Sequence, residues 1–501
     1  MKIFSTEQIR AWDAYTIEHE PISSLDLMER ASAACVEWIR SGGFEKRKFH
    51  IFCVKGNTGG DGLAIARMLL QYKYDVEVYI LEQGAVGTPD FQVNLQRLHK
   101  CTQSIHFLQT EIAFPKLTEG DVVIDALFGI GLFRPVEGLA AALINHINIS
   151  AVFVISIDLP SGMYADISAK GNDMIKAHHT LSFQCWKLAL LMEENAPFLG
   201  VVHILPIGLD PAYERDTLVN AQMITGDLLT PLLLKRSPFS YKGDYGHALI
   251  IAGSKGKIGA AVLAARSSMR SGAGLLTVHV PECGYQILQI AIPEAMVSVD
   301  QHPDIFSVLP QNLSNYSAIG VGPGLGMQDP TSDVLLSLLK IIKQPMVLDA
   351  DALNVIAQKG TKHCAIPPQS MLTPHPGEFE RLFGKTSNHF ERMKLALQKA
   401  ADLNCIIIIK SKFTLVALPN GNAWFNPTGN PGMAKAGSGD VLTGILTGLL
   451  ARGYQPELAA LLGVYLHGYA GDLAVSQLGF ESALADDITS NLPFAFSALV
   501  K

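Results

Sequence analysis

Long apolar runs are missing from this sequence. No uninterrupted stretch approaches the roughly 20 residues that span a bilayer, and Met1-Lys2-Ile3-Phe4-Ser5-Thr6 passes at once into a polar helix pattern, without the apolar core of a signal peptide. No membrane partner is therefore expected. Excess positive charge is missing as well. With 39 Lys and Arg against 46 Asp and Glu, the formal charge is -7 and the pI near 6.1, which offers no basic field to nucleic acid. Paired cysteines are the third absence. The seven cysteines (35, 53, 101, 185, 283, 364 and 405) show no Cys-x-x-Cys and no Cys and His at metal-ligand spacing, a pattern that fits a reducing cytosol. A soluble, cytoplasmic protein is the expectation. What the chain does have is core material: 48% of its 501 residues are hydrophobic and only 17% charged, which points to compact folding in two to four domains at about 150 residues each.

The stretch richest in chemical implication is Asn426 to Gly444, Asn-Pro-Thr-Gly-Asn-Pro-Gly-Met-Ala-Lys-Ala-Gly-Ser-Gly-Asp-Val-Leu-Thr-Gly. Three small residues, Gly437, Ser438 and Gly439, precede Val441, Leu442, Ile445 and Leu446, whose spacing is that of an amphipathic helix. A loop that opens a helix leaves free N–H groups and the positive dipole end facing an anion. Asp440, in that first turn, is then placed to take a proton from a hydroxyl that attacks a phosphoryl group. An isolated Gly-x-Gly-Asp is more often a capped turn, so the rest of the chain decides.

In the first half, helices are expected from Thr6 to about Glu20 and from Ser23 to about Ile39, packing on the outside of the strands that come after them. A strand from His50 to Val54 leads into the loop Lys55-Gly56-Asn57-Thr58-Gly59-Gly60-Asp61-Gly62 and a helix from about Leu63. Strands at Val76 to Leu81, Val122 to Leu127, Val152 to Ile157, and near Leu181 and Val202 alternate with helices, so a parallel, doubly wound sheet is expected, with ligands beyond the carboxyl ends of its strands. Three polar stretches fall at those ends: Asn57 to Asp61, Asp125 to Gly131, and Asp158-Leu159-Pro160-Ser161-Gly162. Their convergence favours a site over three separate turns. Oxygen-bearing Thr58 and Ser161 beside the aspartates would suit a hard cation.

The pattern weakens between about Asp210 and Lys235, where the domain boundary is expected. A second doubly wound unit comes after it. Strands at His247 to Ala252, Leu275 to Val280, Ala318 to Val321, Met346 to Leu348 and Cys405 to Ile409 end in Gly253 to Ala260, Gly322-Pro323-Gly324-Leu325-Gly326, Asp349-Ala350-Asp351, and Lys410 to Thr414. Thr373-Pro374-His375-Pro376-Gly377-Glu378 falls among them. Each has an ordinary reading as a turn or a solvated end; together they are what such a sheet presents to a ligand.

These motifs carry a resemblance. The Asn-x-Gly-Gly-Asp-Gly loop, Asp-Ala-Leu-Phe-Gly and Asp-x-Pro-Ser-Gly are similar to those of NAD(P)H-hydrate epimerase domains. Gly-Asp-Tyr-Gly-His, Gly-Pro-Gly-Leu-Gly, Asp-Ala-Asp-Ala-Leu-Asn, Thr-Pro-His-Pro-Gly-Glu and the Asn-Pro-Gly-Met-Ala-x-Ala-Gly-Ser-Gly-Asp-Val-Leu run resemble ADP-dependent NAD(P)H-hydrate dehydratase domains of ribokinase-like fold. Their order is that of the bacterial bifunctional NAD(P)H-hydrate repair enzymes.

The resemblance implies an α/β chain of two domains, a Rossmann-like sandwich over 1–210 and a ribokinase-like domain over 236–501, joined by a linker over 211–235. It implies repair of NADH and NADPH that carry a hydroxyl on ring carbon 6: the first domain interconverts the R and S hydrates and the second dehydrates the S form with ADP. The epimerase hydrate positions would be Asn57, Thr58, Gly59, Gly60, Asp61, Gly129, Ile130, Gly131, Leu132, Phe133, Arg134, Pro135 and Asp158, with Asp158 as acid or base and Thr58, Asp125 and Ser161 holding a potassium ion. The dehydratase hydrate positions would be Ala260, Gly324, His375 and Asp440. Its nucleotide, used with magnesium, would meet Lys410, Ser411, Lys412, Phe413, Thr414 and Gly439, and the enzyme would be a homo-oligomer.

Two positions depart from the family pattern. Thr58 replaces the second Asn of Asn-Asn-Gly-Gly-Asp, and Lys410-Ser411-Lys412-Phe413-Thr414 replaces Lys-Gly-x-x-Thr. Nucleotide binding with altered affinity or altered ADP/ATP preference is expected. Two other readings stay open: a ribokinase-like small-molecule kinase fused to a nucleotide-binding domain, and an enzyme whose first domain only binds or regulates.

Overall fold

The computed structural model describes residues 1–82, 84 and 86–500. They form two compact units, one of Lys2–Val219 with Asn388–Phe390 and one of 220–387 with 391–500.

In the N-terminal unit a two-residue strand, β1 (Lys2–Ile3), precedes helices Thr6–His19 and Ser24–Ser41. Both helices start where a serine satisfies free N–H groups: Ser5 in a reciprocal box with Gln8, and Ser23 accepting from Asp26 N–H. The strands β2 (Lys48–Cys53), β3 (Asp75–Leu81), β4 (Ile105–Leu108), β5 (Val122–Ala126), β6 (Phe153–Ile157), β7 (His179–Phe183) and β8 (Val201–Leu205) are parallel throughout, in the order β4-β3-β2-β5-β6-β7-β8. Side-chain alternation makes the layers. Phe49, Ile51 and Cys53 join the core with Val36 and Ile39 of one helix and Leu63 and Ile65 of another, whereas Phe52 packs with Leu143 and Ile144 on the opposite face.

Two expectations need correction here. The helix expected from Leu63 begins at Asn57, so the glycine stretch is its first turn rather than a loop. The cause is close approach: a methyl group at Gly59 would stand 1.7 Å from the Val54 carbonyl oxygen, and only glycine lets the turn lie against the strand end. Helix Thr6–His19, expected on the outside, turns Arg10 and Asp13 toward the ligand edge of the sheet.

The C-terminal unit holds β9 (Ala221–Met223), β10 (His247–Ile251), β11 (Leu275–Val280), β12 (Met296–Val299), β13 (Ala318–Val321), β14 (Met346–Leu348), β15 (Met371–Leu372), β16 (Ile406–Ile409), β17 (Leu415–Ala417) and β18 (Ala423–Phe425). Their order is β9-β18-β17-β16-β15-β14-β13-β10-β11-β12. From β16 across to β12 the strands are parallel, and only β17 runs antiparallel to both its neighbours. Ala248 and Ile250 face the helix Ser438–Ala451; Leu249 and Ile251 face the opposite core. The helices Ile258–Arg270 and Ser438–Ala451 touch backbone to backbone, since a methyl at Gly444 would stand 2.0 Å from the Ala264 oxygen and one at Gly448 2.4 Å from the Ser268 oxygen. Among the described residues one helix, Pro456–Leu478, is long and apolar enough to cross a membrane, yet its Ala459, Leu462, Leu466 and Ala470 are core residues.

Strand order reverses between β2 and β5 in one unit and between β10 and β13 in the other. Doubly wound sheets open their ligand crevices at such switch points.

Candidate active sites

In the N-terminal unit a cavity of about 570 Å³ opens at the β2/β5 switch. All three polar stretches reach it: Asn57, Thr58 and Asp61 from the first helical turn, Gly129, Ile130, Gly131, Leu132, Phe133 and Arg134 after β5, and Asp158 after β6. Gly59 and Gly60 face inward, against Val54 and Met28, and Pro135 is outside the lining. Asn57 and Thr58 offer N–H groups with no backbone acceptor among the described residues, as an anion cradle does.

Asp158 holds a left-handed φ of 68°, a conformation seldom adopted by a residue with a Cβ and characteristic of functional positions. Its carboxylate pairs with Lys187 Nζ at 2.8 Å, with side chains 8% and 1% exposed, and accepts from Ile130 N–H at 3.2 Å. Lys187 has no hydrogen left to donate elsewhere, because Ser182 Oγ (2.8 Å) and the Phe183 carbonyl (2.6 Å) take the other two. Asp125 and Ser161 lie buried behind the cavity wall. Burial pushes the Asp125 carboxyl up, against hydrogen bonds from Ser161, Ser156 and the Leu127 N–H. Ser161 Oγ donates to Asp125 and accepts from Phe128 N–H at 2.8 Å, which leaves it one lone pair. Among the described residues no three His, Cys, Asp or Glu side chains cluster as metal ligands.

In the C-terminal unit Gly324, after β13, packs on Lys257 and Ala260 at the start of helix Ile258–Arg270: a methyl on Gly324 would lie 3.1 Å from the Ala260 Cβ. Ser254 Oγ donates to the Gly324 carbonyl at 2.8 Å and fixes that loop. On the other side a cavity of about 500 Å³ is lined by the expected site residues His375, Lys410, Ser411, Lys412, Thr414 and Gly439, and by Asn426, Asn430 and His467 besides. Phe413 is outside the lining, under the Lys412 ammonium at 5.7 Å. His375 caps helix Pro376–Phe383, its Nδ1 accepting from Gly377 N–H (3.1 Å) and Glu378 N–H (3.4 Å), which directs Nε2 elsewhere. It is a structural residue and a cavity residue at once.

Asp440, like Ala260 and Gly324, is outside the cavity lining, next to Gly439, which belongs to it. Gly437, at φ 95°, starts helix Ser438–Ala451, and the N–H groups of Gly439 and Asp440 meet no acceptor among the described residues. A methyl at Gly439 would stand 3.3 Å from Lys410 Nζ and 3.5 Å from Asp349 Oδ2, so the two charged groups lie directly beside the turn. Asp349 is buried, held by Lys410 Nζ (2.9 Å) and Thr443 Oγ (2.8 Å). Burial first, then the Asp349 charge, raise the Asp440 carboxyl to about 6, with Lys410 opposing. Asp351, which also raises it, faces Lys257 at 3.6 Å on the Gly324 side. Burial likewise depresses His467 to about 4, so it is neutral and its Nε2–H donates to the Ser438 carbonyl at 2.9 Å. The arrangement offers a base beside an anion cradle.

Sequence reasoning missed Lys187, Asp13 and Arg10 in one unit and Thr443 and His467 in the other. Lys187 had a faint signal: a lone lysine in Gln184-Cys185-Trp186-Lys187, directly after a strand and among apolar residues.

Two family models match the chain: NAD(P)H-hydrate dehydratase over residues 248–493 and YjeF-related protein N-terminus over residues 24–189. The bifunctional NAD(P)H-hydrate repair enzyme Nnr of Moorella thermoacetica is 37% identical over 497 residues, covering 95% of this chain and 93% of its own. That of Escherichia coli K12 is 30% identical over 492 residues, 98% and 93%. Among solved structures, the ADP/ATP-dependent NAD(P)H-hydrate dehydratase of Bacillus subtilis, co-crystallised with ATP and Mg2+, is 33% identical and covers 56% of this chain and all of its own at a TM-score of 0.50. The coverage of both units, in order, by relatives at 30% identity or more settles membership: the chain belongs to the family of bifunctional NAD(P)H-hydrate repair enzymes.

Proposed function

We propose that this chain restores hydrated NADH and NADPH in the cytoplasm, the N-terminal domain (1–210) exchanging the R and S hydrates and the C-terminal domain (236–501) dehydrating the S form with ADP, giving NAD(P)H, AMP and phosphate. The connector over 211–235 carries the helices Pro211–Asp216 and Gly226–Leu229 and the strand Ala221–Met223. The observation that carries the reading is the first turn of helix Ser438–Ala451, where unpaired N–H groups adjoin a carboxyl poised near neutrality. Asp440 takes the proton of the ring hydroxyl as that oxygen attacks the terminal phosphate of ADP. Phosphate, unlike hydroxide, is a good leaving group: the ring nitrogen's lone pair expels it to leave an iminium, and loss of the C5 proton to solvent restores the dihydronicotinamide ring. Lys410 and the Gly439 N–H neutralise charge on the transferring group. Lys410 to Thr414 and Gly439 form the nucleotide side, and Ala260, Gly324 and His375 meet the hydrate.

Magnesium would accompany the nucleotide, as it does in the Bacillus subtilis structure. Potassium would be held by Thr58 and Ser161, with Asp125 supplying charge and fixing the Ser161 hydroxyl. It would orient the hydrate against Asp158.

Mixing the purified chain with both NADH hydrates, ADP, magnesium and potassium should restore the whole reduced-nicotinamide absorbance. Recovery that halts when the S epimer is spent would leave only the dehydratase, and a stable phosphorylated product would replace repair by a kinase reaction. The pH dependence has a definite sign. The base must be ionised, so S-hydrate dehydration should fall as the pH is lowered through about 6 and level off above it. Initial rates from about pH 5 to about pH 8 check this; a flat profile would remove Asp440 as the base.

A further inference from the structure

We propose that Asp13 is a second acid–base residue of the N-terminal cavity, serving the ring nitrogen of the hydrate while Asp158 serves its hydroxyl. The inference rests on the epimerase reading of this unit. Asp13 lies on helix Thr6–His19 between the buried Trp12 and Thr16 and lines the same cavity as Asp158. No group among the described residues hydrogen-bonds to its carboxylate, whereas Asp158 has both Lys187 and the Ile130 N–H. A half-buried carboxylate without a partner costs stability, and no hydrogen bond or ion pair among the described residues offsets it.

The charges that act on Asp13 are Asp158 and Lys187, with Asp61 of helix Asn57–Gln71 also within reach, and Arg10, Lys55 and Arg134 line the same cavity. Lys187 is committed to Asp158, Ser182 and Phe183, so Asp13 and Asp61 share no close cation. Burial, then the Asp158 charge, raise the Asp13 carboxyl to about 6. It therefore exchanges a proton near neutrality in the same cavity as Asp158, whose carboxylate is paired with Lys187 Nζ at 2.8 Å.

Inverting carbon 6 requires one of its bonds to break and re-form on the other face. The hydroxyl proton passes to the Asp158 carboxylate as the C6–O bond becomes a carbonyl. The C6–N1 bond breaks, its electron pair stays on N1, and N1 takes the proton of the Asp13 carboxyl. Rotation about C5–C6 presents the other carbonyl face. The reverse transfers then close the ring and restore both side chains. One carboxylate and one carboxylic acid are needed at the start, and these two residues supply them.

The test follows exchange of the R NADH hydrate into the S form by chromatography, without ADP, using the full chain. The wild type is read first: absence of exchange would overturn the epimerase reading itself. With exchange established, Asp13→Asn should lower kcat by about 100-fold or more with KM within about threefold. Asp13→Glu should recover part of it, and S-hydrate dehydration should be unchanged. Wild-type exchange should decline as the pH rises past the point where Asp13 loses its proton, and the residual Asp13→Asn activity should lack that decline. A structural role would not alter the pH profile. Exchange by Asp13→Asn within about threefold of wild type, on the same profile, would overturn the proposal while leaving the epimerase reading standing.

Discussion

Asp440→Asn should lower S-hydrate dehydration by about 100- to 10,000-fold in kcat, equivalent to about 3 to 5 kcal/mol of barrier, with ADP affinity preserved. Asn keeps the size of the side chain and the first turn of the helix, so the free N–H groups of Gly439 and residue 440 remain. Only the proton acceptor is lost. Asp349 cannot take over, because both its oxygens are engaged by Lys410 and Thr443 in a buried setting. The dependence on pH near 6 should vanish with the activity. Single-turnover measurement with S hydrate and ADP separates the chemical step from product release; retention of near-normal turnover would place the base elsewhere.

Lys187→Met should produce the largest loss of stability. It leaves the Asp158 carboxylate, 8% exposed, without its cation, and removal of one partner from a buried pair costs about 3 to 5 kcal/mol. Ser182 and Phe183 lose a donor at the same time. Three of the four tryptophans, Trp12, Trp38 and Trp186, belong to the N-terminal unit, against Trp424 in the other. Fluorescence-monitored denaturation should therefore show an early transition at a lower midpoint, while dehydratase activity persists beyond it. The double variant Lys187→Met/Asp158→Asn should regain part of the loss, since it removes the stranded charge. Equal midpoints for wild type and Lys187→Met would mean that the pair contributes nothing to folding.

The regular elements were legible wherever apolar runs met glycine-rich ends. β2, β5, β6, β10, β11, β13 and β14 fall within a residue or two of expectation. β1, β4, β9, β12, β15, β17 and β18 did not show, because two to four residues carry no readable period unless, as at β13 and β14, a glycine- or aspartate-rich end marks them. The Asn57 turn was misread as a loop because helix propensity counts against glycine, and the contact with the Val54 oxygen that selects it is tertiary. The same limit applies to the sites. Asp440, Asp158 and the cavity loops announce themselves at strand ends, where order along the chain is enough. Asp13 and Thr443 matter through partners far along the chain, Asp158 and Asp349, and nothing in their immediate neighbourhoods marks them; Lys187 carries only its faint signal after a strand and gains its role from Asp158.

The backbone contact of helices Ile258–Arg270 and Ser438–Ala451 bears on how this enzyme tolerates change. Asp440 is in the first turn of a rod whose next turns, at Gly444 and Gly448, rest on the neighbouring helix's carbonyl oxygens and small serine side chains. Such a bearing has no compliance, so any bulk added there is relieved by translating the whole rod. Displacement of a reacting group by about 1 Å is enough to cost about 100-fold in rate. Substitutions along this seam will therefore silence dehydration in molecules that are still folded, and the mutational boundary of activity will lie well inside the boundary of stability.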